Sequence, residues 1–169
     1  MDWSTVDQEV FDFVRTFDEP LTKTVPFVVD AHDELSNKVG QKYDRGTTMH
    51  VRKYIEKYEL SHYSGYAPNP ELLNFIRKNT HTYTYYMWTC NTTFVAETVL
   101  KNERLFPLFE KIVTQTDVVL IKPEPEGFYT FYNTDEPLSS YLMIGDSLAD
   151  ENAAKAAGID FFRIDYFSR

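Results

Sequence analysis

Asp146 and Asp150 stand four residues apart in the run Ile144-Gly145-Asp146-Ser147-Leu148-Ala149-Asp150, between a short apolar stretch and an alanine-rich one. A buried strand followed by a helix would put both carboxylates at the carboxyl end of the strand. That is where open parallel α/β sheets bind their ligands. Two carboxylates there form a hard oxygen site suited to Mg2+, and Gly145 permits a tight exit from the strand. The plainer alternative makes Asp146 a turn residue and Asp150 a helix cap. Two further groups lie upstream. Lys122 opens Lys122-Pro123-Glu124-Pro125-Glu126, and a lysine beside a helix N-terminus makes an anion site; read alone, it is equally a solvated lysine in a proline-stiffened loop. Thr89 follows a β-forming run, Thr82 to Trp88, with Asn91 two residues on. Read alone, it is an ordinary strand end.

These groups require a scaffold in which strands give way to helices. Leu148 to Ala157 reads as a helix closed by Gly158, flanked by strands at Tyr141 to Ile144 and Ile159 to Ile164. Glu71 to Lys78 and Thr93 to Asn102 read as helices, and Phe109 to Val113 as a short strand. Glu126 to Asn133 is predicted helical behind a proline at its first turn. Strands alternating with helices predict an α/β fold with a Rossmann-like parallel sheet covered on both faces.

The first part of the chain is different. Val10, Phe13, Val14 and Phe17 recur at helical spacing until Pro20. A second helix is expected from near Pro26, with Val28, Ala31, Leu35 and Val39 inward and Gly40 as its stop. A third runs from about Thr48, with Val51, Tyr54, Ile55 and Tyr58 inward, before the turn-rich SHYSGYAPNP. The expected organisation is therefore a helical region over 1–66 and an α/β core over 67–169.

The stretch YLMIGDSLADENAAKAAGIDFFRI resembles the C-terminal signature of the haloacid dehalogenase superfamily: a strand ending in Gly-Asp, a second acid, then Ala-Ala-Gly-Ile before the last strand. Tyr85-Tyr86-Met87-Trp88-Thr89 resembles the family's second motif and Lys122-Pro123-Glu124-Pro125 its third, in family order. The resemblance implies a Mg2+-dependent hydrolase of small phosphomonoesters. It gives Thr89 a bond to a phosphoryl oxygen, makes Lys122 the cation that offsets phosphate charge, and makes Asp146 and Asp150 the metal ligands. Asn91, Gly145 and Ser147 then line the cofactor site. The N-terminal helices resemble the cap that many members insert after their first core strand, and Asn69-Pro70-Glu71-Leu72-Leu73 resembles the return to the core.

One motif departs from the pattern. The family begins with Asp-x-Asp-Gly-Thr, whose first aspartate attacks phosphorus and whose second is the general acid and base. No such run stands here. Val10 to Phe17 echoes it with Asp12 as nucleophile, and Val28 to Asp33 with Asp30 as nucleophile and His32 as acid/base, yet both keep helical period. The expectation is that the chain begins inside the cap and lacks the first strand. Another segment, a rearranged sheet or a strand-supplying partner would then fill the slot. The alternative function is a catalytically inactive member, or a truncated fragment, that binds phosphate, metal or protein.

Composition narrows the remaining choices. Twenty-six acidic residues against 17 basic give a net charge of −9, a field that disfavours nucleic acid and anionic membranes. The single Cys90 forms no internal disulfide and suits a reducing compartment. No basic n-region and apolar h-region open the chain, so a cytoplasmic location is expected. Cys90 is read as a small buried residue, and the four histidines as surface or hydrogen-bonded groups. Tyr83 and Tyr85 on one face suit a homodimer.

Overall fold

The computed structural model describes residues 3–27 and 31–164. Three helices come first: α1 (Trp3–Thr22), α2 (Ala31–Lys42) and α3 (Arg45–His62). Val6, Val10 and Val14 repeat every four residues along α1 and meet Leu35 and Val39 of α2 and Val51 and Ile55 of α3 in one buried cluster. Each such side chain contributes about 1.5–3 kcal/mol when fully buried. The apolar stripe thus explains the helix, and the packing of three stripes explains the bundle.

The bounds differ from expectation where local geometry intervenes. Pro20 does not end α1; the backbone breaks at Asp18 (φ −150°, ψ 71°) and resumes helical form through Thr22. Asp18 Oδ1 accepts the Leu21 N–H at 3.2 Å and so caps the resumed turn. Lys42 and the Tyr43 hydroxyl bond its other oxygen, and the Lys42 bond is the main reason its carboxyl lies below the ordinary value. Gly40 does not stop α2, which continues to Lys42. A Cβ at Gly40 would stand 2.9 Å from the Val119 carbonyl oxygen, so glycine serves close approach to the loop that leads to Lys122. The expected start near Pro26 falls partly on residues 28–30, which lie outside the described residues. Asp44 starts α3 three residues earlier than expected by accepting the Thr47 N–H at 2.9 Å.

The α/β part follows: α4 (Pro70–Lys78), β1 (Tyr85–Trp88), α5 (Thr93–Asn102), β2 (Phe109–Val113), α6 (Glu126–Tyr129), β3 (Leu142–Gly145), α7 (Leu148–Ala157) and β4 (Asp160–Arg163). Asn69 caps α4 ahead of Pro70. Tyr85 and Met87 face α4 and α5 through Leu72, Leu73, Ile76 and Leu100. Tyr86 turns the other way and stacks on Phe131 at 4.5 Å. The helix expected over Glu126 to Asn133 ends at Tyr129.

The sheet is the main departure. The strands are parallel, but they form two separate pairs, β1–β2 and β3–β4. Among the described residues no strand joins them. Two ties hold the pairs side by side. Lys122 spans their carboxyl ends. Toward their amino ends the rings Tyr86, Phe131, Phe128 and Tyr141 form a continuous series. Parallel strands are ordinarily buried on both faces, yet Leu142 of β3 and Phe162 of β4 are each 58% exposed. Helix α7 covers only the opposite face, burying Ala153, Ala154 and Ala157.

Candidate active site

The turn from β3 into α7 is built around Asp150. Ser147 caps α7 by accepting the Asp150 N–H, while Asp150 Oδ2 accepts the backbone N–H groups of Asp146 at 3.2 Å and Ser147 at 3.1 Å and the Ser147 hydroxyl at 2.8 Å. This is a capping box with aspartate at the third helical position. It needs Gly145 for space, since a Cβ there would lie 2.6 Å from Asp150. Gly158, at φ 74°, closes the other end of the helix.

The other oxygen of Asp150 accepts from Lys122, and both side chains are nearly buried, at 10% and 8% exposure. Lys122 Nζ also donates to the Trp88 carbonyl at 3.1 Å and lies over the Trp88 ring. Burial works against charge on Asp150, but the Lys122 charge and hydrogen bond and the Ser147 cap outweigh it, so its carboxyl lies below the ordinary value. The lysine is thereby fixed between the ends of β1 and β3.

Next to it, Thr89 continues β1 by donating its N–H to Val113 O at 2.9 Å. Its hydroxyl accepts the Asn91 N–H at 3.1 Å, which leaves the hydroxyl proton for an anion. Asp146 is exposed. Its backbone carbonyl accepts from Arg163. The structure therefore brings Thr89, Asn91, Lys122, Asp146 and Asp150 to the carboxyl ends of β1 and β3.

Residues without a sequence signal hold the Lys122 loop. Asn37 of α2 pairs with both backbone groups of Ile121, at 2.9 and 2.8 Å. Glu126 accepts the N–H groups of Val119 and Leu120 at 2.8 and 2.7 Å. Arg52 of α3, wholly buried, donates to the carbonyls of Gln115, Val118 and Val119 and to the Ser36 hydroxyl. Burial lowers its guanidinium to about 10, still charged at neutral pH. Gly127 lets α6 lie against the Trp88 indole, which a Cβ would strike at 2.2 Å.

The two alternative nucleophiles of the N-terminal region fare differently. Asp12 lies on exposed helix and pairs with Arg15. Asp30 lies outside the described residues. His32 is buried in the bundle, where Asp7 Oδ1 contacts its Nδ1 at 2.6 Å and accepts its backbone N–H at 3.0 Å. Burial first, then Asp33 and Asp150, push the Cys90 thiol up to about 12, with Lys122 opposing. It is protonated at neutral pH and a poor nucleophile. The thiol is half-buried, so an aromatic disulfide reagent is expected to label the native chain many times more slowly than the chain unfolded in urea. Rapid labelling of the native chain would show an accessible thiolate instead.

Mg2+ is bound in proteins by one or two carboxylates, with water and phosphate oxygens completing six positions. Asp146 offers one free carboxylate, whereas both oxygens of Asp150 are engaged by Lys122 and the cap. Among the described residues no group of three or more His, Cys, Asp or Glu stands ready to hold a metal. The donors fit a water-rich Mg2+ shared with a phosphate, not a closed protein cage.

Residues 13–164 match the family model described as haloacid dehalogenase-like hydrolase. No match was found among curated proteins. Among solved structures, magnesium-bound YfnB from Bacillus subtilis, described as a HAD-hydrolase, superposes with TM-score 0.56 at 19% identity, over 99% of this chain and 72% of that one. A Bacteroides fragilis structure described as a haloacid dehalogenase-like hydrolase gives TM-score 0.55 at 21% identity, over 95% of this chain and 80% of its own. These likenesses show the fold, an α/β core with an N-terminal helical region of the kind expected. With the family model spanning nearly all of it, the chain belongs to the haloacid dehalogenase-like hydrolase family.

Proposed function

We propose that the site binds the phosphoryl group of a small phosphomonoester and serves Mg2+-dependent hydrolysis. The observation that carries this reading is the buried Lys122 ammonium held by Asp150 and Trp88 O between two strand ends, beside the Thr89 hydroxyl. Lys122 offsets phosphate charge, Thr89 and Asn91 orient the phosphoryl oxygens, and Asp146 is the carboxylate that would hold Mg2+. Asp150 positions Lys122. When bound, Mg2+ supplies charge neutralisation at the transferring phosphoryl group.

A second reading, phosphate binding without turnover, is favoured by one observation: the nucleophile candidate that is described, Asp12, lies on the exposed side of α1 paired with Arg15. The two readings meet at the gap in the sheet. A parallel strand entering between β1 and β3, from a partner chain or another segment, would carry its carboxyl end to Lys122 and Asp146, where a carboxylate would attack phosphorus. Among the described residues no helix is long and apolar enough to cross a membrane. The acidic charge and lone cysteine suit a reducing, cytoplasmic setting.

The test is hydrolysis of an aryl phosphate by the purified chain with and without Mg2+, alongside calorimetric titration of Mg2+ and an Asp146→Asn control. Expected is Mg2+ binding that Asp146→Asn abolishes. Turnover lost in the control supports hydrolysis, whereas Mg2+ and phosphate binding without turnover supports the second reading. Unchanged Mg2+ affinity in Asp146→Asn would remove Asp146 from the site.

A further inference from the structure

Helix α2 lies along the loop that leads to Lys122, and its contacts advance one turn at a time. Gly40 faces the Val119 carbonyl and the Leu120 side chain. Asn37 bonds both backbone groups of Ile121, at 2.9 and 2.8 Å. Helix and loop therefore run in opposite directions. Positions four and seven apart share one helix face, so Asp33 stands on the face of Asn37 and Gly40, about 6 Å further along the axis than Asn37. That step leads past Ile121 to Lys122.

The charges around Asp33 agree with this register. After burial, the Asp33 charge is the largest influence on the Cys90 thiol, ahead of Lys122 and Asp150, and Cys90 follows Thr89 directly. After burial it is likewise the largest influence on the Arg52 guanidinium. Such effects weaken with distance, so the Asp33 carboxylate stands near the end of β1 that carries Thr89. The first turn of α2 is held firmly. Asp7 accepts the His32 N–H at 3.0 Å and meets its Nδ1 at 2.6 Å, and His32 Nε2 lies 3.6 Å from Asp33 Oδ1. His32 and Asp7 are buried, whereas the Asp33 side chain is 31% exposed and reaches water.

We infer that Asp33 is a catalytic residue, the general base that accepts a proton from water attacking the phosphorus of an ester held by Lys122 and Thr89. The water oxygen bonds phosphorus as one of its O–H bonds breaks, and that proton passes to Asp33. The ester P–O bond breaks with its electron pair on the alcohol oxygen, which takes the proton back from Asp33. Hydrolysis is then complete within the single chain and needs no carboxylate from a partner strand. This rests on the hydrolysis reading above and names the group of this chain that serves it.

The experiment follows Mg2+-dependent hydrolysis of an aryl phosphate by the whole chain, by Asp33→Asn and by Asp33→Ala, with calorimetric binding of inorganic phosphate to each. Asp33→Asn is expected to lower kcat by about 100- to 10,000-fold, the range of general acid–base catalysis. Phosphate should bind to it at least as tightly as before, because a negative charge is gone. Added formate should restore part of the turnover of Asp33→Ala, which a carboxylate with a structural role alone would not allow. Hydroxylamine should trap no phosphoenzyme. Turnover by Asp33→Asn close to that of the unsubstituted chain overturns the inference, as does loss of phosphate binding together with turnover. A trapped phosphoenzyme also overturns it, because a carboxylate and not water would then be the nucleophile. No turnover by the unsubstituted chain overturns the hydrolysis reading itself, and this inference with it.

Discussion

Arg52→Met should lower the unfolding free energy by about 3–5 kcal/mol, because several enclosed carbonyls lose their donor at about 1–3 kcal/mol each. The side chain is wholly buried and donates to three carbonyls of the segment 115–119 and to Ser36. Methionine fills similar volume but leaves those carbonyls enclosed without donors. Arg52→Lys should recover only part of the loss, because an ammonium lacks the planar fork that reaches several acceptors at once. Urea unfolding followed by far-UV circular dichroism measures both variants. The same arginine links α3 to the loop before Lys122, so Arg52→Met should also weaken phosphate binding. A loss under about 1 kcal/mol would mean that the loop finds other donors and that the bundle does not hold it.

That clamp was invisible in the sequence, and the reason is distance along the chain. Arg52 and Gln115 are 63 positions apart, Asn37 and Ile121 are 84. Nothing in residue type or spacing marks Asn37 as the partner of Ile121. Elements governed by local signals were readable. Thr93–Asn102 follows the Thr92 cap, Leu148–Ala157 runs from the Ser147 cap to Gly158, and Phe109–Val113 emerges as expected. Local signals misled where a residue answered to a tertiary neighbour. Gly40 reads as a helix stop but makes room for Val119. The site residues themselves came from motif order, which encodes that strand ends meet. Order alone does not show that Asp150 spends its oxygens on Lys122 and the Ser147 cap. Nor does alternation of strands and helices show whether strands join one sheet, and here they form two pairs.

Lys122→Met is expected to weaken phosphate binding by about 10- to 100-fold, the loss of a charge-assisted hydrogen bond, and to cost about 3 kcal/mol of stability by leaving Asp150 buried and unpaired. The second effect has a pH signature. In the unsubstituted chain burial raises the Asp150 pKa, but Lys122 and the Ser147 cap bring it below the ordinary 3.8. A depressed carboxyl stabilises the fold above its unfolded pKa, and that contribution fades as pH falls through the lowered folded value. Without Lys122, burial is opposed only by the Ser147 cap, and the Asp150 pKa should rise above 3.8. The folded variant then holds its proton more tightly than the unfolded chain, so its deficit relative to the unsubstituted chain grows as pH rises from the acid limit and levels off near neutrality. Urea titrations of both proteins from about pH 3 to pH 7, a range set to span the ordinary carboxyl pKa, read that difference directly. Lys122→Met with Asp150→Asn should be more stable at neutral pH than Lys122→Met alone, because the uncompensated charge is gone. A deficit independent of pH, or a double variant no better than the single one, would show that Lys122 acts by packing on Trp88 and not through its charge.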